Sequence, residues 1–415
     1  MAMLEAKNAG LFNGVKLPNN GPVISHFLFA DDALFVGNWT FANLSNLMRI
    51  LRCLHLASGL RVNLSKTMLY ATGVRSDSLS WAASKLNCSV GTFPIKYLGL
   101  PVGSSMSKCA AWQPLLEKFQ AKLSSWRATA LSAAGRMVLC KSVLGSIGTY
   151  LFSLYKVPEA ILTKLESIRC KFFWGGSQNS KKIHWIAWKD ILAKKECGGL
   201  GIGSLKALNV ALISKWWWRL KIKSNSLWCR IIDSLHGFRR SHPIDPLDSK
   251  KNGVWHSIIS ISKSLHAMNI DVRSLIVRNS TNGHSDSHMV WFWKLDSSGI
   301  FSVSSLRNLI DDSILVNSNG FQTRWLESVP SKVNIMMWRL MLNRLATKSN
   351  LAKRNISVNN SYCLFCGFEL ESEVHLFLSC PLASLLWKET TRWWNLNHSS
   401  PTSIANLLNW GTLLV

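Results

Sequence analysis

Near the C-terminus the stretch CLFCGFELESEVHLFLSC sets three cysteines and a histidine at the spacing Cys363-x2-Cys366-x8-His375-x4-Cys380. No other feature restricts the local fold of this chain so tightly. Two thiolates separated by two residues can bind one ion together, and Gly367 eases the tight turn behind them. His375 and Cys380 then close a tetrahedral Cys3His shell, which suits zinc and leaves no position open for water. A closed shell holds structure and performs no chemistry, and a module this short depends on its metal for folding. The competing account, three buried cysteines that happen to lie close, leaves the knuckle spacing and the glycine unexplained. The other seven cysteines (Cys53, Cys88, Cys109, Cys140, Cys170, Cys197 and Cys229) stand singly in apolar segments. The first ten residues, MAMLEAKNAG, lack a hydrophobic run, so no secretory route is expected and these seven read as buried free thiols.

Charge narrows the partners. Among 415 residues, 48 Lys and Arg stand against 22 Asp and Glu, a formal net charge of +26. Such a surplus points to a polyanion, with RNA or DNA ahead of an anionic membrane. The longest apolar stretch, SVLGSIGTYLFSLY, runs only from 142 to 155 between Lys141 and Lys156, short of the ~20 residues that a spanning helix needs. No membrane partner is expected, and the location reads as intracellular, nucleus or cytoplasm. An interaction scaffold unrelated to nucleic acid would leave the charge incidental. Salt separates these readings, because phosphate contacts weaken steeply as it rises.

The fold class reads as α+β. Residues 22–36 look like a hairpin with buried arms, and 43–59 like a helix burying Leu44, Leu47, Met48, Leu51 and Leu54 and stopping at Gly59. Strand character returns over 60–72, and FPIKYLGLPVG (93–103) suggests a second hairpin turning at Gly99 to Pro101. These pieces would pack on one antiparallel sheet over 1–105. A mainly helical region follows over 106–237, with helices expected at 109–126, 132–152 and 158–174 and another running into the three tryptophans of 216–218. Its GGLGIG resembles a phosphate loop only superficially, since the lysine and Ser/Thr of that motif do not follow. Residues 238–320 read as a connector with some helix near 254–266, and 321–396 as a small helical zinc-binding domain whose first helix spans 329–354.

Within the first hairpin, FLFADDALFV sets Asp31 and Asp32 side by side amid apolar residues. Aspartate is a common turn residue, and the dipeptide alone reads that way. Two carboxylates held together also invite divalent metal, and paired magnesium ions align a hydroxyl with a phosphate in polymerases.

At this point the residues resemble a known family. FADD is similar to the Tyr/Phe-x-Asp-Asp palm hairpin of reverse transcriptases, SGLRVNLSKT (58–67) to the segment that comes next there, and YLGLPVG (97–103) to the primer-grip hairpin. Order and spacing resemble the reverse transcriptases of plant LINE-type (non-LTR) retrotransposons. The downstream GGLGIGSLKALNVALISKWWWRL and the cysteine-containing tail resemble that family's zinc-binding domain.

The resemblance implies a remnant of a polymerase palm, then a thumb-like helical region, then the zinc domain. It implies that Asp31 is a magnesium ligand with Asp32 its neighbour, and that Lys66 lies near the incoming nucleotide's phosphates. Leu98, Gly99 and Leu100 would brace the primer end, and Cys363, Cys366, His375 and Cys380 would hold zinc in a domain gripping RNA or DNA. The family also needs an aspartate on an earlier palm strand. Here 30 residues precede Asp31 and their sole carboxylate is Glu5. The expectation is therefore an RNA-directed DNA polymerase in descent that is inactive alone, with a complementary N-terminal part acting in trans. The alternative is a non-catalytic, zinc-containing nucleic-acid-binding protein.

Overall fold

The computed structural model describes residues 2–123, 130–176, 182–222, 225–236, 253–280, 289–315, 322–323, 325–395 and 401–410. They mix many helices with small sheets, and each sheet among the described residues has two strands. No described helix is long and apolar enough to cross a membrane. The chain divides into two units: Met1–Ala111 with Leu151–Pro158 and Val210–Ser305, and Trp112–Tyr150 with Glu159–Asn209 and Leu306–Val415.

In the first unit, strands His26–Phe29 and Asp32–Phe35 pair antiparallel around Ala30 and Asp31, with Ala30 in the left-handed region at φ 51°. The hairpin forms as its pattern predicts, but its arms are not buried. Phe27, Leu28 and Phe29 are all exposed, because no third strand or helix covers them among the described residues. Helix Phe41–Ser58 is capped by Thr40, whose side chain accepts from the Asn43 amide, and stops at left-handed Gly59. The buried residue of this helix is Asn43. Leu44, Leu47, Met48 and Leu51 are only half-covered and Leu54 is exposed. The Asn43 side chain accepts from the Asn13 backbone N–H at 2.7 Å and donates to the carbonyls of Asn13 and Asn38 at 2.8 and 3.0 Å. Such a triply bonded amide is cheap to bury.

The strand expected over 60–72 shrinks to Met68–Leu69, which pairs parallel with Ser89–Val90. The second hairpin, Ile95–Tyr97 with Leu100–Val102, turns at Leu98 and Gly99, both at positive φ, one residue earlier than its sequence suggests. The expected antiparallel sheet does not form as one sheet. Its pieces stay separate pairs.

The tryptophan triplet packs. Trp216 donates to the Ser153 carbonyl at 2.6 Å, Trp217 donates to that of Ile258 at 2.8 Å, and Trp218 lies against Trp293 and Phe301. Helix Val254–His266 forms where expected, while residues 238–252 lie outside the described residues. An antiparallel hairpin, Ile276–Ser280 with Met289–Trp293, appears where the sequence suggested only connector.

In the second unit, helices Gln113–Lys122, Ala133–Ser142 and Glu159–Phe173 form as the apolar periodicity predicts. The helix expected over 132–152 breaks, resuming only at Thr149–Phe152, and residues 124–129 lie outside the described set. Arg169 is 0 % exposed at the centre of this core. The glycine-rich segment has a structural explanation: a Cβ on Gly199 would meet the Ala193 carbonyl, and Gly201 and Gly203 adopt φ of 65° and 74°. Its amides are spent on Ala193 and Leu192 carbonyls at 2.7 and 2.9 Å, so they cannot cradle a phosphate.

Of the seven scattered cysteines, Cys140, Cys170 and Cys229 are buried as expected, whereas Cys53, Cys109 and Cys197 are exposed and Cys88 is intermediate. Burial pushes the Cys140 thiol up to about 12 and the Cys170 thiol to about 11, so both stay protonated and unreactive.

Candidate metal centre

The helix expected over 329–354 divides into Ser331–Met341 and Lys348–Ala352. Asn343 accepts the left-handed conformation at φ 54° between them, and Thr347 caps the second helix through the Asn350 amide. The chain then runs into the knuckle. The Gly367 N–H donates to the Cys363 carbonyl at 2.9 Å with Gly367 at φ 74°, and the Cys363 N–H donates to the Glu369 carbonyl at 2.7 Å. This closes a tight loop that points both thiols inward.

The second pair comes from a π-helical turn, His375–Ser379. Its ladder bond runs from the Cys380 N–H to the His375 carbonyl at 2.8 Å. An i→i+5 turn is one residue wider than an α-turn and sets residues five apart above one another. That geometry is what the x4 spacing of His375 and Cys380 requires. Pro381 then opens helix Pro381–Trp393 at its first position, where a missing N–H costs nothing.

The four donor atoms of Cys363, Cys366, His375 and Cys380 all lie within 4.8 Å of one another. A zinc tetrahedron with bonds of about 2.3 Å spaces its sulfurs about 3.8 Å apart, so the cluster fits that ion. Cys363, His375 and Cys380 are buried and Cys366 is half-buried. Among the described residues this is the one group of three or more His, Cys, Asp or Glu side chains so assembled.

His375 is oriented for ligation. Its Nε2 sits 3.2 Å from Cys366 Sγ, while Nδ1 sits 2.8 Å from Glu369 Oε2 and 3.3 Å from Ser379 Oγ. A proton on Nδ1 donated to Glu369 leaves the Nε2 lone pair free for metal. Sequence reasoning passed over Glu369. Nothing in the sequence distinguishes it from Glu371 and Glu373 in the same interval. Around the site, Glu371 accepts from the Lys348 backbone N–H at 3.1 Å, and buried Glu373 accepts from the Asn350 amide.

The backbone N–H groups of Phe368 and Glu369 pull the Cys366 thiol down to about 6, whereas burial pushes Cys380 up. For His375 burial works downward, but hydrogen bonds to Cys366, Cys363 and Glu369 outweigh it and the net shift is upward. Acid therefore protonates ligands and competes with metal, and base does not. Zinc is expected to stay bound at neutral pH and to be released as acid protonates the three thiolates and His375, at a pH set by the affinity for the ion as well as by the free ligands. A chromogenic chelator followed across a pH series reads the release, and zinc loss that does not depend on pH would contradict thiolate and imidazole ligation.

The other sequence-singled residues lie in the first unit. Asp31 sits in the hairpin turn and Asp32 opens the return strand, both exposed. Among the described residues neither side chain makes a hydrogen bond or ion pair, and no third carboxylate joins them. Lys66 is exposed on the 3-10 turn Leu64–Lys66, whose first amide bond goes to Asn63. Leu98, Gly99 and Leu100 form and follow the second hairpin turn.

Residues 301–387, which include all four candidate ligands, match the family described as zinc-binding in reverse transcriptase. This region, with its Cys3His cluster, supports a reverse-transcriptase-related protein with a zinc-binding domain. The chain is similar to an Arabidopsis thaliana protein provisionally named a ribonuclease H protein, at 25% identity over 66% of this chain and 54% of the relative. An uncharacterized mitochondrial protein of Arabidopsis thaliana is 29% identical over 28% of this chain and 75% of its own length. The chain spans about half the length of the first of these relatives.

Proposed function

We propose that the chain is the nucleic-acid-gripping portion of an RNA-directed DNA polymerase of the LINE-type (non-LTR) retrotransposon kind, acting in the nucleus or cytoplasm. The observation that carries this is the Cys3His centre assembled inside the region that matches the reverse-transcriptase zinc-binding family. The charge of +26 supports a polynucleotide partner. In this reading zinc fixes the C-terminal module, which contacts RNA or DNA. Asp31 and Asp32 hold magnesium only when a further carboxylate is supplied, and a polypeptide acting in trans is the natural source. Lys66 then meets nucleotide phosphates and Leu98 to Leu100 brace the primer.

The lone pair of exposed aspartates favours binding without catalysis by this chain alone, since one hairpin offers too few ligands for two ions. Zinc-loaded chain is expected to bind labelled single-stranded RNA, with affinity falling about a thousandfold between about 50 and about 200 mM salt if some six phosphates are contacted. It is expected to give no primer extension on an RNA template with magnesium. Extension that Asp31→Asn with Asp32→Asn abolishes would overturn the binding-only reading. Binding indifferent to salt would remove nucleic acid as the partner.

A further inference from the structure

A pocket of about 460 Å³ opens in the first unit, with Trp39, Phe41, Trp81, Asp77 and Ser78 among its lining residues. Its volume falls in the ~300–1,000 Å³ range of ligand sites. We propose that it is an aromatic cage for a methylated ammonium group, the side chain of a methylated lysine on a partner polypeptide. The site lies far along the chain from the zinc ligands and does not depend on the polymerase-related reading.

The walls come from two helix starts held in place. Trp39 sits between Asn38 and Thr40, and the buried Asn43 amide ties that segment to Asn13. Phe41 opens the helix that Thr40 caps. Across the cavity, helix Ser76–Leu86 brings Asp77 and Trp81 four residues apart, hence on one face, anchored beneath by buried Ala82 and Ala83. The Phe41 and Trp81 rings meet at 5.7 Å with their planes tilted by 43°, a corner that presents two π-faces to one guest. All three rings are accessible, at 38, 65 and 51 % for Trp39, Phe41 and Trp81.

Charge selects the guest. Elsewhere this basic chain covers its own aromatic faces: Arg219 lies over Trp216 at 5.0 Å, Lys221 over Trp291 at 4.7 Å and Lys195 over Trp325 at 4.0 Å. Among the described residues no lysine or arginine occupies the Trp39–Phe41–Trp81 cavity, and its charged lining residue is a carboxylate. A cation held over aromatic faces is attracted by the ring quadrupole. An ordinary lysine ammonium is strongly hydrated and resists entry. Methyl groups replace its N–H donors, so the methylated form sheds less water and fills more of the apolar corner. Asp77, among the lining residues, supplies the counter-charge.

The test uses the zinc-loaded full chain and fluorescein-labelled peptides, identical except for one trimethyl-lysine or unmodified lysine, followed by anisotropy with choline as competitor. A chain of charge +26 repels cationic peptides non-specifically, so background works against the signal. The methylated peptide is expected to bind about tenfold or more tighter than the unmodified one. Trp81→Ala should erase the difference and Asp77→Asn should weaken binding several-fold. Asp77 is exposed, so its variant keeps the fold. Trp393→Ala, exposed in the other unit, should change nothing. Choline that competes only at far higher concentration supports a peptide source. Choline binding as tightly as the peptide would overturn the peptide and leave a free quaternary amine. Equal affinity for both peptides, or Asp77→Asn indistinguishable from the parent, would overturn the cage itself.

Discussion

Cys363→Ser is expected to abolish zinc binding and to unfold the segment from the knuckle into helix Pro381–Trp393, while the first unit keeps its structure. The reason is the size of the core around the metal. Cys363, Cys380 and Ala383 form its buried cluster, with Cys366 and Leu376 packed against them. Three of those five residues are ligands themselves. Phe365, Phe368, Leu385 and Leu386 turn outward, so little apolar burial remains to hold the module when the ion leaves. Structural zinc contributes on the order of 10–16 kcal/mol in small modules, far more than one buried alanine and one half-buried leucine, at about 1–2 kcal/mol each. Limited proteolysis with a zinc assay reads the result: cleavage within 361–393 and a stoichiometry near zero. Chelator treatment of the parent should reproduce the pattern, and Phe368→Ser, at an 82 % exposed position, should not. Protease resistance surviving in Cys363→Ser would mean the fold does not depend on the ion.

The second large effect is expected at Arg169→Met. Glu166 accepts from the Arg169 guanidinium at 2.9 and 3.0 Å, from the Trp188 indole at 2.8 Å and from the Leu205 backbone N–H at 2.8 Å. The same guanidinium donates to the carbonyls of Gly203 and Cys140. Removing it leaves a partly buried carboxylate hydrogen-bonded to neutral donors only, with Arg307 its remaining electrostatic partner, and two carbonyls without that donor. Losing one member of a fully buried pair costs about 3–5 kcal/mol, and the partial exposure of Glu166 puts the expected loss at or below the lower end. Urea unfolding of the zinc-loaded chain should show the midpoint falling accordingly. Glu166→Gln combined with Arg169→Met should recover part of the loss, since no lone charge is then buried. A double variant less stable than either single one would reject this account.

The two sites differ in how much of them the sequence carried. The zinc ligands lie within eighteen residues of chain, and their geometry follows from local turns that the spacing itself specifies. Glu369 lay in the same stretch but carried no pattern of its own. The Arg169 network shows only as an i, i+3 acid–base pair, which on most helices is solvated. Its burial depends on Gly203 and Leu205, brought close by glycine geometry that periodicity does not encode. The first hairpin exposes a third limit. Alternating apolar residues say which face a strand can bury, not whether anything covers it, and Phe27 to Phe29 remain open. Likewise the leucine stripe of Phe41–Ser58 was legible, while the residue actually sealed inside was Asn43.

The π-turn between His375 and Cys380 makes the length of that interval matter more than its content. Each residue added to or removed from a helical turn rotates everything after it by about 100°. Deleting any one of Leu376, Phe377, Leu378 or Ser379 would swing the Cys380 thiol off the ion, whereas exchanging Phe377 or Leu378 for a side chain of similar size would leave the ligand in place. Among descendants of such a sequence, conservative point changes inside the interval should be tolerated far more often than single-codon insertions or deletions, which should be purged wherever the metal is still needed. The indel record of this one short interval then serves as a gauge of whether a given copy has been kept under selection or left to decay.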